Sequence, residues 1–411
     1  MYTSFFVPKK ERIHEITNSH CNRSPDMPSK DNTKKALLVT TISGFVPQFE
    51  MNNVHILQEM GYEIHYASNF NNVHYGSDNH RLDGTGIIKH QVDFVRSPFK
   101  LKANYKAYKQ LKQVMSEEHY DMVHCHTPMG AVLARLVAKA HRKNRTKVFY
   151  TAHGFHFYKG APLKNWLFFY PVERWLAKYT DVLITINKED YACAKCFCHK
   201  KVTQVEYIPG VGVDTEKIAR IAGAVDRDEK RRALGLGTEY FVLINAAELS
   251  QRKNQKVILE AVKELKENYG IEVTVLLCGR GPMQQSLENY VKEAGIEKQV
   301  KFLGYRTDVY ELYAMADCFV FSSLQEGLPV ALMEAMAAGL PVVCSRIRGN
   351  VDLVEDGENG YLVEATNSSQ YAERIYKVMQ QRAGSCGINQ EKLKSYDMKK
   401  VIEYMRKVYR N

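Results

Sequence analysis

Short apolar runs and amphipathic segments alternate along almost the whole chain. After Lys34-Lys35 the run A-L-L-V-T-T is continuously apolar at its start, the pattern of a strand buried on both faces, and a helix follows to about Met60. Further strands are predicted at Tyr62 to Ala67, Val92 to Val95, Met122 to His124, Lys147 to Thr151, Val182 to Thr185 and Val205 to Ile208. Helices are predicted at Asn104 to Ser116, Met129 to His141 and Asn165 to Lys178, and the polar span 71–90 reads as a loop. Such alternation implies a doubly wound parallel sheet. The segment Pro209-Gly-Val-Gly-Val-Asp214 interrupts it with a proline and two glycines, a turn-rich connector. The alternation then restarts, with strands at Phe241 to Ala246, Val273 to Leu277, Val300 to Leu303, Cys318 to Phe321 and Pro341 to Cys344. The expected organisation is a polar tail of low order over 1–33, an α/β domain over 34–210, a second over 211–388, and a terminal amphipathic helix over 389–411.

Composition narrows the class. With 45% hydrophobic and 25% charged residues, the chain resembles ordinary globular proteins. No apolar run approaches the about 18 residues of a membrane-spanning helix. The N-terminus M-Y-T-S-F-F-V-P-K-K-E-R lacks the apolar core of a secretory signal, so a cytoplasmic location is expected. Nine scattered cysteines fit reduced thiols. The net charge of +11 favours an anionic partner, a nucleotide or a phospholipid surface. No nucleic-acid motif accompanies it, so no nucleic acid is expected as a partner.

The candidate chemistry is concentrated in Phe319 to Val343, F-V-F-S-S-L-Q-E-G-L-P-V-A-L-M-E-A-M-A-A-G-L-P-V-V. A strand ends in Ser322-Ser323, a loop carries Glu326-Gly327-Leu328, Pro329 opens a helix and Gly339 closes it. A helix N-terminus approached by such a loop is an anion site suited to a phosphate. Glu326 and Glu334 flank it, and acceptor-only carboxylates suit the hydroxyls of a ribose or a sugar.

Inside this sequence context, Glu326-x7-Glu334 resembles the signature of retaining nucleotide-sugar glycosyltransferases of family 4, which have the GT-B fold. The resemblance covers about residues 34 to 411. It implies two Rossmann-like domains with a cleft between them and a terminal helix that crosses back to the first. It also implies transfer of a sugar from a nucleoside diphosphate, UDP, with retention at the anomeric carbon and no cofactor or metal. The implied acceptor is polyprenyl-diphosphate-linked or a saccharide, in capsule or exopolysaccharide synthesis. Carried over residue by residue, Glu326 would meet the sugar hydroxyls and Glu334 the ribose. Lys253, with the Gly327 and Leu328 amides, would stabilise the diphosphate. The family's usual arginine is replaced by Glu248, and Arg252 is a candidate for the missing charge. Gly44 would lie near the diphosphate, Gly279 would allow close backbone approach, and Tyr305 and Arg306 belong to the loop that cradles the base. His153, in Thr151-Ala-His-Gly-Phe-His156, would sit beside the transferred sugar. His153, Lys253 and Glu326 are thus the candidate catalytic residues. Two other readings share the fold: a nucleotide-sugar 2-epimerase, and a non-catalytic nucleotide-sugar-binding protein suggested by Glu248.

Other clusters have simpler readings. His124-Cys-His126 could ligate a metal, but the family carries a similar stretch without one. Cys193, Cys196, Cys198 and His199 lack a second cysteine pair and read as reduced thiols. Trp166, Phe168, Phe169, Tyr170 and Trp175, with the basic series Lys100, Lys102, Lys106, Lys109 and Lys112, suggest contact with an anionic membrane surface, peripheral on the inner face of the plasma membrane.

Overall fold

The computed structural model describes residues 33–75, 78–198, 202–381 and 393–410. The tail read over 1–33 lies outside them apart from Thr33, and so does His199. The first sheet contains β1 (Lys34–Val39), β2 (Tyr62–Ser68), β3 (Ile88–Gln91), β4 (Met122–Cys125), β5 (Lys147–Ala152), β6 (Val182–Thr185) and β7 (Gln204–Tyr207). The second contains β8 (Phe241–Ala246), β9 (Val273–Cys278), β10 (Val300–Gly304), β11 (Cys318–Phe321), β12 (Val342–Ser345) and β13 (Tyr361–Val363). Their orders are β3-β2-β1-β4-β5-β6-β7 and β10-β9-β8-β11-β12-β13, and neighbouring strands run parallel. Helices cover both faces of a sheet of this kind, so its central strands must be apolar throughout; Ala36, Leu37, Leu38 and Val39 are all fully buried. The chain thus folds as two Rossmann-like α/β domains.

Each order reverses at its centre, between β1 and β4 and between β8 and β11. At such a switch point the loops leaving adjacent strands run to opposite faces and open a crevice beyond the strand C-termini. Two crevices therefore exist, one per domain.

Two local expectations are corrected. The strand expected at Val92 to Val95 lies instead at Ile88–Gln91, overlapping the end of the 71–90 span read as a loop, where it pairs with β2 from His65–Ile88 to Ser68–Gln91. As an edge strand it is largely exposed, so its sequence I-K-H-Q is polar. Val92 and Phe94 are buried and alternate, which imitates a strand, but the Phe94 amide turns back to the Val92 carbonyl at 2.7 Å. The second miss is β13, whose three residues are too few to form a pattern.

The helix Met398–Arg410 packs on the helix Met51–Glu59 of the first domain. Val401, Met405, Val408 and Tyr409 are buried in one core with Val54, Leu57 and Ile64. At its start the Met398 amide donates to the Val213 carbonyl at 2.9 Å. Among the described residues no helix is long and apolar enough to cross a membrane.

Candidate active site

The two crevices open onto one cleft, lined by Phe45, Thr127 and His153 from the first domain and by Arg252, Glu326 and Arg348 from the second. The domains approach closely where the loop after β5 meets the loop after β11. A Cβ on Gly327 would lie 1.9 Å from the His153 carbonyl oxygen, so only glycine permits this approach. A Cβ on Gly349, at φ +82°, would lie 2.3 Å from the Gly327 carbonyl oxygen.

Arg348 fastens this junction. Its Nη1 donates to Asp190 Oδ1 at 2.8 Å and to the Phe155 carbonyl at 2.9 Å, both in the first domain. Its Nε donates to the Glu326 carbonyl at 3.0 Å. Neither Arg348 nor Asp190 was marked by the sequence, because a single charged residue has no local pattern and this pair meets only across the domain boundary.

On the second domain, β8 leads into a 3-10 turn, Gln251–Lys253. The turn brings adjacent side chains to one atom: Lys253 Nζ lies 2.6 Å and Arg252 Nη1 2.8 Å from Glu326 Oε1. Arg252 thus points the same way as Lys253, while Glu248 is exposed. Lys253 Nζ also stands 4.9 Å from the centre of the Phe321 ring. Burial pulls the Lys253 ammonium down, with the Glu326 charge opposing it. Burial pushes the Glu326 carboxyl up, but Lys253 and Arg252 outweigh that and hold it below the usual glutamate value. Among the described residues the Gly327 and Leu328 amides form no hydrogen bond within the chain, and Pro329 caps the helix Val330–Ala337 beside them.

Glu334 projects from that helix and accepts a hydrogen bond from the Tyr310 hydroxyl at 3.0 Å. Burial raises its carboxyl to about 7, with the Tyr310 bond opposing the rise. Tyr305 is 73% exposed beyond β10. Arg306 is engaged by Asp308, at 2.6 and 2.8 Å, and Lys230 holds Asp308 in turn. A Cβ on Gly279 would meet the Ala247 carbonyl at 1.9 Å, so this glycine seats the loop after β9 against the loop after β8. Gly44 is similarly occupied: its amide donates to the Val73 carbonyl at 2.8 Å, and a Cβ there would strike His74 O. Of the expected residues, His153, Arg252, Glu326 and Gly327 line the cleft, and Lys253 is joined to Glu326 by the 2.6 Å ion pair.

On the first domain, His124 is fully committed: Nδ1 bonds Tyr409 and Nε2 bonds Thr151, each at 2.8 Å. Burial lowers it to about 3, so it stays neutral. His126 is buried beside it, and His153 reaches both His126 and the buried Glu50. Glu50 was missed because it sits in a stretch that reads as ordinary helix. Cys193 and Cys198 are free, and burial pushes them up to about 11 and about 12, so they remain thiols.

Outside the cleft, Leu163, Leu167, Phe168 and Trp175 on the helix Leu163–Leu176 are at least 46% exposed. Trp166, Phe169 and Tyr170 instead turn inward and pack on the core. Phe99, Leu101 and Tyr105, at the start of the helix Leu101–Glu117, are also exposed, among the lysines of that segment.

Known proteins place this architecture. Residues 34–187 match the family described as glycosyl transferase 4-like, and residues 226–400 match glycosyl transferases group 1. EpsD of Bacillus subtilis (strain 168), which carries the name of a glycosyltransferase, is 40% identical over 84% of this chain and 87% of its own. The UDP-Gal:alpha-D-GlcNAc-diphosphoundecaprenol alpha-1,3-galactosyltransferase of Escherichia coli is 32% identical over 66% of this chain and 70% of its own. The fold matches the crystal structure of Anabaena HepE in complex with UDP, with a TM-score of 0.70 at 20% identity over 92% of this chain and 99% of that one. Two sheets of one order, an E-x7-E loop at the second switch point and relatives along most of the chain lead to one conclusion: this chain belongs to the GT-B glycosyltransferases of the group 1 and 4-like families, and is an enzyme of that class.

Proposed function

We propose that the chain transfers a sugar from a UDP-sugar to a polyprenyl-diphosphate-linked or saccharide acceptor, with retention, in capsule or exopolysaccharide synthesis. The observation that carries this reading is the convergence of Lys253 and Arg252 on Glu326 at the second switch point. Two cations and a pair of uncommitted amides meet at one helix N-terminus, the arrangement that a departing diphosphate needs as its charge grows. Glu326, held below its usual range, remains a carboxylate able to receive sugar hydroxyls. Glu334, eight positions on, would receive the ribose hydroxyls. In a retaining transfer of this kind the leaving phosphate oxygen can accept the acceptor proton on the same face, so no protein nucleophile is required.

The lipid-linked acceptor is supported by the E. coli relative, whose name specifies one. It is also supported by the exposed apolar and basic residues near the cleft mouth, where Pro98 and Phe169 both border the cleft. A diphosphate head held at a bilayer surface can enter such a cleft if the first domain rests on that surface.

Acceptor-dependent UDP release tests the reading. UDP-glucose, UDP-galactose and UDP-N-acetylglucosamine would each be incubated with an N-acetylglucosamine diphosphate polyprenol. Release of UDP coupled to an α-linked product is expected with one donor. Formation of a 2-epimer with no transfer would establish the epimerase instead.

A further inference from the structure

Three polar groups on the first-domain wall of the cleft have no part in the reaction described so far: Tyr150, His156 and Arg96. The Tyr150 ring lies over the Arg135 guanidinium at 4.1 Å, and Arg135 is held by Glu173 through hydrogen bonds of 2.8 and 3.1 Å. Breaking a buried pair of this kind strands a charge, so the surface under the ring is fixed. Tyr150 is only 4% exposed, yet among the described residues its hydroxyl forms no hydrogen bond. A buried phenol usually finds a partner. Here the side left open is the cleft.

His156 stacks on Phe169, with ring centroids 4.6 Å apart, and its carbonyl accepts from Asn165 Nδ2 at 2.9 Å. Neither ring nitrogen has a hydrogen-bond partner among the described residues. Burial lowers the imidazole below the ordinary histidine value, so the neutral ring offers one donor and one acceptor. A phenol and a neutral imidazole beside an aromatic ring suit a sugar. Its hydroxyls both donate and accept, and its C–H faces pack on aromatic surface.

Arg96 is exposed and forms no ion pair among the described residues. Its segment is anchored, because Asn104 Nδ2 donates to the Ser97 and Pro98 carbonyls at 3.0 and 3.2 Å. Asn104 belongs to the helix Leu101–Glu117 and Asn165 to the helix Leu163–Leu176. The helices that pin this polar wall are thus the ones that carry or adjoin exposed apolar side chains. Phe99, next to Pro98, is 80% exposed, and Phe168, next to Phe169, is 64% exposed. The wall combines groups for a sugar, an unpaired cation and apolar surface. A free saccharide would need neither of the last two. A sugar joined through a diphosphate to a polyprenyl chain uses all three. Lys253 and Arg252, the cations assigned to the donor, belong to the second domain.

We propose that this wall is the subsite of a polyprenyl-diphosphate-linked acceptor: Arg96 binds its diphosphate, His156 and Tyr150 bind its sugar, and its chain leaves over Phe99 and Phe168. The inference rests on the transfer reaction proposed above and narrows its acceptor to the lipid-linked class.

Calorimetric titration of the full chain with farnesyl-diphosphate-linked N-acetylglucosamine tests it. Arg96→Gln should weaken binding by about 10- to 100-fold, the range of a hydrogen bond to a charged group, with the affinity for UDP unchanged. Farnesyl N-acetylglucosaminide, which lacks the diphosphate, should bind wild type and Arg96→Gln equally. Tyr150→Phe, which keeps the ring on Arg135, and His156→Ala should each weaken the sugar-bearing diphosphate by about 2- to 10-fold and leave farnesyl diphosphate unaffected. Unchanged affinity in Arg96→Gln, or a loss of UDP affinity in its place, would overturn the role of Arg96. Equal losses for farnesyl diphosphate in the other two variants would overturn the sugar contacts. If wild type binds none of these probes yet transfers to a free saccharide, the subsite fails and the proposed function stands. If it binds them and no UDP-sugar supports transfer, the proposed function fails and the binding site stands.

Discussion

Arg348 Nη1 donates to Asp190 Oδ1 at 2.8 Å across the two domains, with neither side chain more than 3% exposed. The same guanidinium holds the Glu326 carbonyl, so the contact that closes the cleft also anchors the loop bearing the E-x7-E signature. Burial pushes the Asp190 carboxyl up; Arg348, the Asn187 amide and the Phe155 N–H pull it back without fully offsetting the rise. Removing one partner of a buried pair strands the other charge, which costs about 3–5 kcal/mol. Arg348→Ala should therefore lose about that much stability in urea unfolding. Arg348→Met combined with Asp190→Asn should recover part of it, because no charge is left unpaired. An unchanged midpoint in Arg348→Ala would remove the pair from the account of domain closure.

Lys253 and Arg252 share one acceptor atom, but Lys253 is the more enclosed, 14% exposed against 46%. The desolvated cation should matter more to a developing charge. Lys253→Ala is expected to reduce turnover by about 10²-fold or more with the fold intact, and Arg252→Ala by less. Steady-state rates of UDP release check this ordering; equal losses would assign the two cations equal roles.

Glu334 gives a pH dependence with a defined sign. Its folded value of about 7 exceeds the ordinary glutamate value of 4.5, so the folded protein holds this proton more tightly than the unfolded chain. The group's contribution to stability is greatest below pH 4.5, falls between 4.5 and about 7, and is level above. Glu334→Gln should thus be the more stable protein at pH 8, by up to about 3 kcal/mol, and equal to wild type at pH 4. Donor binding should run the other way, since the ionised carboxylate is the better acceptor for ribose hydroxyls. The donor KM of wild type should rise as pH falls below about 7, and that rise should be absent in Glu334→Gln. Urea unfolding across pH 4–8 and initial rates across pH 5–8 measure the two effects.

Membrane contact is expected to need charge and apolar surface together. Lys106 is paired with Asp93 at 2.7 Å, so Lys100, Lys102 and Lys109 are the better probes of the basic face. At about 1 kcal/mol for each lysine near an anionic leaflet, changing these three to Glu should weaken binding to anionic vesicles by about 10²-fold or more. Leu167→Ser with Phe168→Ser should weaken binding even at low salt, whereas salt should reverse mainly the lysine contribution. Vesicle sedimentation separates the two, and equal binding to neutral and anionic vesicles would exclude the basic face.

The class of fold and the half of the site that lies in one segment were legible in the sequence. Buried parallel strands must be apolar along their length, so runs such as Ala36 to Val39 and Cys318 to Phe321 declare themselves. Strand, Glu326-Gly327 loop, Pro329 and helix form a contiguous unit whose chemistry follows from local backbone geometry. The edge strand β3 and the three-residue β13 were illegible because exposure and brevity erase the pattern. Tertiary structure alone decided which distant side chains meet. Parallel strands return through crossovers, so every strand C-terminus reaches the same rim however far apart the residues are in sequence. Near that rim Glu50 meets His153 and Asp190 meets Arg348, while His124 meets Tyr409 because the terminal helix crosses back onto the first domain. No periodicity encodes such pairs, because each depends on the packing of whole domains rather than on the conformation of any one segment.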